Sequence, residues 1–288
     1  MNPARALGRE LVLGGHLLAL GTASMAACAS ILMGQSPTLP LLVMAYLFSF
    51  GAYMLNRASD VGEDSVSNPG RTNYLSGRKR YLPAIAAASF LLGYALAAIR
   101  NLVFFTALLL PLLLALAYSI GSKRMAKLTG AKRLKDALLV KNVAISFGWS
   151  LIPILVGLYF LSVPDLLLAL GVVIFLRLLV NTILFDVRDT EGDKMFGVRT
   201  LPTVYGQDRA FALMTVFDSL SAVAVVLLVA SGVLPLYALA LLAFTAYSFC
   251  YRALARRPGA NLNLICDVLA DGEYLLWGPV IYIGKLLI

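Results

Sequence analysis

Long uninterrupted apolar segments constrain this chain more than any other feature. Nine of them suit the roughly 30 Å core of a bilayer. They span approximately residues 11–33, 38–55, 82–99, 101–120, 138–161, 164–184, 210–231, 233–251 and 268–287. The runs are continuous rather than alternating, which indicates helices and not the strands of a membrane barrel. Only 14% of the residues are charged, against roughly 25% in soluble domains. The sequence predicts an all-α, polytopic membrane bundle of nine transmembrane helices, forming one domain over residues 1–288.

Positive charges predict how the bundle is oriented. All but four of the 24 Lys and Arg residues lie before the first segment or in the connections that follow segments two, four, six and eight. Basic connections stay on the cytoplasmic side, so we expect a cytoplasmic N-terminus. The net charge of +9 then reflects basic residues that set the orientation of the bundle and contact lipid headgroups. Nucleic acid is not an expected partner. The first segment resembles a signal peptide, but Glu10 and the many apolar segments after it favour a retained helix.

Histidine and cysteine offer little for catalysis or metal binding. His16 is the single histidine, which excludes a His-rich metal site, and we expect it to be packed or hydrogen-bonded. Cys28, Cys250 and Cys266 show no metal-binding spacing and are interpreted as small hydrophobic residues.

Acidic residues concentrate in two connections that the charge pattern places on the cytoplasmic side. Seven of the 15 Asp and Glu residues lie within residues 60–64 and 186–193, including Asp60 and Asp64 in the first cluster and Asp189 and Asp193 in the second. Both pairs have a four-residue step, which puts the side chains on one helical face about 5–6 Å apart. Like charges at that distance repel each other, so repeated pairs predict a shared cation.

Magnesium and a diphosphate fit this pattern best. Mg²⁺ takes oxygen ligands and commonly bridges carboxylates to substrate phosphates, where it neutralises developing charge. Arg57, Arg71, Arg188, Lys194 and Arg199 are interleaved with the acidic residues and could contact the phosphate oxygens. The alternative, solvated loop charges with local ion pairs, does not explain two clusters with matched spacing.

The two clusters resemble motifs of the UbiA-type intramembrane prenyltransferases. The first reads N-x-x-x-D-x-x-x-D at Asn56, Asp60 and Asp64, followed by "NPGRTNYLSG". The second reads "DVRDTEGDKMFGVRTLPTVYG", starting at Asp186. One departure is "GRTN", which replaces the usual arginine-proline, so Thr72 and Asn73 alter that loop and the subfamily stays open.

The resemblance implies a helical bundle in which both motifs bind Mg²⁺ and an isoprenyl diphosphate. Carried over, the metal ligands are Asn56, Asp60, Asp64, Asp186, Asp189 and Asp193, of which Asp60, Asp64, Asp189 and Asp193 are catalytic. Basic and polar residues expected at the diphosphate are Asn56, Arg57, Arg71, Lys123, Arg188 and Lys194. Family members carry a polar pair where Lys141 and Asn142 stand, so substrate contact and interfacial snorkelling are both open. Tyr118 is either an aromatic beside the reacting carbon or an aromatic-belt residue.

Further polar residues lie in or beside the apolar segments. Arg177 and Asn181 are one helical turn apart, and an intramembrane arginine usually faces a cavity or a partner. We expect both residues to line the cavity and contact substrate. Asp267, Asp271 and Glu273 are interpreted as helix-start residues.

The expected function is Mg²⁺-dependent transfer of a prenyl group to a lipophilic acceptor within the membrane. The main interpretation is an aromatic, quinone-precursor-type acceptor, and the alternative is a glycerol-phosphate lipid. The active site is expected at the cytoplasmic face of the cell membrane. An ion-coupled transporter is the alternative from another class, although such sites usually lie near the membrane midplane.

Overall fold

A computed structural model describes residues 2–59, 66, 68–119 and 139–288, and every regular element in these ranges is a helix. The all-α prediction is therefore confirmed for the described chain. The helices are α1 Pro3–Leu13, α2 His16–Leu32, α3 Leu39–Ser59, α4 Pro69–Ser76, α5 Leu82–Arg100, α6 Leu102–Ala107, α7 Leu109–Ser119, α8 Val140–Ser150, α9 Ile152–Tyr159, α10 Asp165–Phe196, α11 Leu201–Tyr205, α12 Gln207–Ala230, α13 Leu242–Ala255, α14 Leu262–Leu264, α15 Asp271–Leu275 and α16 Trp277–Leu287. Short 3₁₀ segments precede α5 (Lys79–Tyr81) and α13 (Leu236–Leu241), and a π-helical segment, Ile265–Ala270, joins α14 to α15.

Seven helical stretches in the described chain are long and apolar enough to cross a membrane, or eight if a bent pair counts as one span. The prediction of nine uninterrupted spans is not confirmed, for two physical reasons. The first segment bends by 66° between α1 and α2. The last is divided by the π-helical segment and by the break between α15 and α16.

Two glycines explain the bend in the first segment. Gly14 ends α1, and Gly15 has φ +84°, a conformation that L side chains rarely adopt. A Cβ on Gly15 would also lie 2.3 Å from the ring of Tyr53, so glycine allows α3 to approach closely. Helix α1 contributes no buried residue and therefore lies at the periphery.

Helix α10 forms the centre of the bundle. It packs against α8 and α12, while α2 packs against α3, α15 and α16. The main core contains Ile174 and Leu178 of α10 together with Met25, Tyr274 and Trp277, all almost fully buried. At 1.5 Å per residue, the 32 residues of α10 extend about 48 Å, well beyond a 30 Å bilayer core. Its last turns, which carry the second acidic motif, are long enough to reach past the apolar layer.

Candidate active site

A cavity of about 380 Å³ opens inside the bundle, a size typical of ligand pockets. Its wall changes character along its length. One end is lined by residues from the ends of α3, α7 and α10 and the start of α8, including Asn56, Tyr118, Lys141 and Asp189. The body is apolar and includes Met44, Phe48, Phe104, Leu108, Trp149, Ile152 and Val156. Such a cavity suits a ligand with a charged head and a hydrocarbon tail.

The second acidic motif reaches the polar end of the cavity. Arg188, Asp189 and Asp193 all line it. Arg188 donates to both carboxylate oxygens of Asp189, from Nε at 2.7 Å and from Nη2 at 2.9 Å. The buried Oδ2 of Asp193 makes no hydrogen bond within the described residues. The arrangement holds one carboxylate in a bidentate pair and leaves an oxygen of the other open to a cation. Lys194, the other basic residue predicted here, is exposed and is not part of the wall.

Asp186 lies one turn before Asp189 and takes a different position. It is fully buried, and its two oxygens accept hydrogen bonds from Lys141 Nζ and Asn142 Nδ2, each at 2.8 Å. Of these three residues only Lys141 lines the cavity. The structure thus joins α8 to α10 through Asp186, which does not support the predicted metal contact. Lys141 still presents charge to the cavity.

The first acidic motif is described only in part. Asn56 and Arg57 line the cavity at the end of α3, where the Arg57 guanidinium lies 4.8 Å from the centre of the Tyr53 ring. Asp60, Asp64 and the predicted phosphate contact Lys123 lie outside the described residues. Their roles remain predictions.

A third acidic pair, Asp267 and Asp271, belongs to the cavity wall, a position that the sequence interpretation did not predict. The helical run starts earlier, at Leu262, so both carboxylates lie within it, with Asp271 as the first residue of α15. Asp267 accepts hydrogen bonds from Asn68 Nδ2 at 2.7 Å and Arg188 Nη1 at 2.8 Å, and Arg71 Nη1 lies 3.5 Å away. It therefore draws together two of the arginines predicted to bind phosphate, Arg71 and Arg188. Asp267 and Asp271 are four residues apart, like the acidic pairs of the two motifs, and this spacing was the sequence signal for a shared site.

The structure corrects the prediction for Arg177. Its side chain is buried away from the cavity, where Nη1 donates to Asp218 Oδ1 at 2.5 Å and Nη2 to Glu273 Oε1 at 2.6 Å. A fourth charge, Arg252, pairs with the other oxygen of Asp218. An arginine in an apolar bundle needs compensating anions, and two acidic residues far along the chain supply them. Asn181, one turn after Arg177, does line the cavity as expected.

The donor groups fit a hard divalent cation. Carboxylate and amide oxygens are the ligands that Mg²⁺ takes in proteins, and Asp193 offers a buried oxygen without a hydrogen bond. Within the described ranges, no group of three or more His, Cys, Asp or Glu side chains is arranged to hold a metal. A complete set would need residues of the first motif that lie beyond those ranges.

Comparisons with known proteins agree with the motifs. The chain is 27% identical to digeranylgeranylglyceryl phosphate synthase of Methanoculleus marisnigri, over 67% of this chain and 61% of that protein. It is 32% identical to the protein of the same name from Methanopyrus kandleri, over 61% of this chain and 60% of that one. These matches thus span about three-fifths of the length of each relative.

The fold is shared with a UbiA homologue from Archaeoglobus fulgidus whose structure contains GPP and Mg²⁺. The TM-score is 0.68 at 18% identity, covering 95% of this chain and 99% of that one. The model of the UbiA prenyltransferase family matches residues 6–262. The chain therefore belongs to the UbiA prenyltransferase family.

Proposed function

We propose that this protein transfers a prenyl group from an isoprenyl diphosphate to a hydroxyl of a glycerol-phosphate lipid inside the membrane. The observation that carries the proposal is the cavity, which combines a polar end of carboxylates and cations with an apolar body of aromatic and aliphatic side chains. The relatives named digeranylgeranylglyceryl phosphate synthase favour a glycerol-phosphate acceptor over an aromatic one. The alternative drawn from the sequence thus replaces its main interpretation.

Residues in different parts of the cavity have different roles in this reaction. Arg71, Arg188 and Lys141 present positive charge to the polar end, where the diphosphate would lie. Asp189 and Asp193, with Asn56 and the first-motif residues Asp60 and Asp64, would hold Mg²⁺. When bound, the ion would neutralise charge on the departing diphosphate. The apolar body excludes water, so the allylic cation formed on ionisation reaches the acceptor before it is hydrolysed.

The charged connections support a position for this reaction. Basic residues are frequent in the connections that follow α3 and α10, whose ends line the polar end, and the positive-inside rule predicts a cytoplasmic position for those connections. We therefore propose that the diphosphate enters from the cytoplasmic face. The carboxylates lie at one end of the cavity, which favours a transferase over a transporter with a midplane site.

The test uses purified full-length protein with radiolabelled geranylgeranyl diphosphate. Two acceptors are compared, a prenylated glycerol phosphate and 4-hydroxybenzoate, each with Mg²⁺ or with EDTA. We expect an ether product from the glycerol phosphate, lost in EDTA and in Asp189→Ala and Asp193→Ala. A product from the aromatic acid alone would refute the acceptor assignment. Ether formation that persists in EDTA would refute the role of the cation.

A further inference from the structure

Asp271 lies in the cavity wall at the transition from its polar end to its apolar body. On the same face of the last helical run, Asp267 belongs to the polar end, and Tyr274 lies on the other side of Asp271. Tyr274 is in turn close to Trp149, with ring centres 5.5 Å apart. The Asp271 carboxylate is thus located where a charged head gives way to a hydrocarbon tail.

The two carboxylates of this run differ in their partners. Asp267 is neutralised by Arg188 and Arg71 and also accepts from Asn68. Within the described chain Asp271 forms no salt bridge, and the residue that faces it from α10 is Asn181. Asn181 is almost fully buried, and its side-chain amide lies within hydrogen-bonding reach of the Asp271 carboxylate. A carboxylate that forms no salt bridge within the described chain and the amide that faces it therefore line the same part of the cavity.

The proposed reaction needs a proton acceptor at this place. When a hydroxyl oxygen attacks C1 of the prenyl group, an O–C1 bond forms and the C1–O bond to diphosphate breaks with its electron pair. The hydroxyl proton must then leave the oxygen. Resting on the function proposed above, we propose that Asp271 is the general base that takes this proton, with Asn181 donating a hydrogen bond to the acceptor oxygen. The products are the ether, diphosphate and a protonated Asp271.

Asp271 is suited to this role because of what surrounds it. A positioned general base contributes about 10²–10⁴-fold to a rate. A carboxylate held in an ion pair is a weak base, and Asp271 forms no such pair within the described chain. Charged and titratable groups near Asp271 come from its own helical run and from α10 and α4. They are Asp267, Cys266, Tyr274, Arg188 and Arg71.

The experiment compares Asp271→Asn with wild type in the two-acceptor assay, measuring ether formation and diphosphate release separately. Asparagine keeps the shape and removes the base. We expect kcat for ether formation to fall at least 100-fold, with KM for the prenyl diphosphate changed by less than about threefold. Diphosphate release should fall much less, because ionisation does not need the base. Asp208→Asn, a change of the same kind at an exposed site on α12, should behave as wild type.

A pH profile gives a second, independent readout. Wild-type kcat should fall on the acid side as the base becomes protonated, and Asp271→Asn should lose that limb. Asp271→Glu keeps a carboxylate and should recover part of the ether yield, which provides the test if the Asn variant does not fold. Equal loss of diphosphate release and ether formation in Asp271→Asn would overturn the proposal, because it would indicate a role in diphosphate binding. Wild-type kcat in that variant would overturn it too, whereas a wild type that makes no ether refutes the proposed function instead.

Discussion

Replacing Arg177 with methionine tests the buried charge cluster of Arg177, Asp218, Arg252 and Glu273. The substitution removes four hydrogen bonds, two to Glu273, one to Asp218 and one to the carbonyl of Phe244. Asp218 keeps Arg252, whereas Glu273 keeps, among the described residues, only the hydroxyl of Tyr251 at 3.1 Å. The net result is one buried carboxylate without a cation, which costs about 3–5 kcal/mol. For a protein of this size that lowers the Tm by about 10 °C.

The assay is thermal unfolding in detergent, followed by intrinsic fluorescence. Arg256→Met is the matched control, because Arg256 is exposed and only 3.4 Å from the exposed Asp208, and it should change stability by no more than about 0.5 kcal/mol. Adding Glu273→Gln to Arg177→Met should recover part of the loss, since the orphaned charge is gone. The reasoning is refuted if Arg177→Met unfolds within about 2 °C of wild type, or if the two substitutions are additive.

Three further outcomes can be measured on the same preparations. Gly15→Ala places a Cβ 2.3 Å from the Tyr53 ring and should destabilise the protein by about 1–3 kcal/mol more than Gly34→Ala. Gly34 is the control, because it has a similar φ but open space around it. Equal losses of stability would rule out the steric clash. Hydrogen bonding by Arg78 lowers the pKa of Glu10 to about 2, so the stability from this carboxylate is complete above pH 4.5 and is lost as the pH falls toward 2. Glu10→Gln should flatten the Tm between those values, and an unchanged acid slope would contradict the assignment. Within the described residues, Lys141→Met leaves the fully buried Asp186 with only Asn142 as a partner and should cost about 3–5 kcal/mol. Asp186→Asn should restore part of this stability, and a Tm equal to wild type would show that the pair is not stabilising.

Local patterns in the sequence predicted much of the fold and one half of the site. Continuous apolar runs identified the helices, since burial in lipid demands them over the whole length of a span. A four-residue step identified Asp189 and Asp193, because helical periodicity is a property of neighbouring residues. These features need no knowledge of which helices pack together.

Tertiary pairing accounts for what sequence reasoning missed. Arg177 is bound by Asp218 and Glu273, which are 41 and 96 residues away, and no local pattern links them. Asp267 was interpreted by its neighbours in the chain, whereas its partners Arg71 and Arg188 come from α4 and α10. The bend at Gly14 and Gly15 did have a local signal, an adjacent glycine pair at the start of an apolar run.

The π-helical segment Ile265–Ala270 fixes the rotational register of everything that follows it. Each residue of an α-helix advances the chain by about 100° around the axis. Removing one residue from this segment would let it become an ordinary α-helix, and α15 would rotate by about that angle. Glu273 would then turn away from Arg177, and Asp271 and Tyr274 would turn away from the cavity. One irregular turn thus sets both the buried charge cluster and the cavity wall, so a deletion or insertion within it would disrupt both.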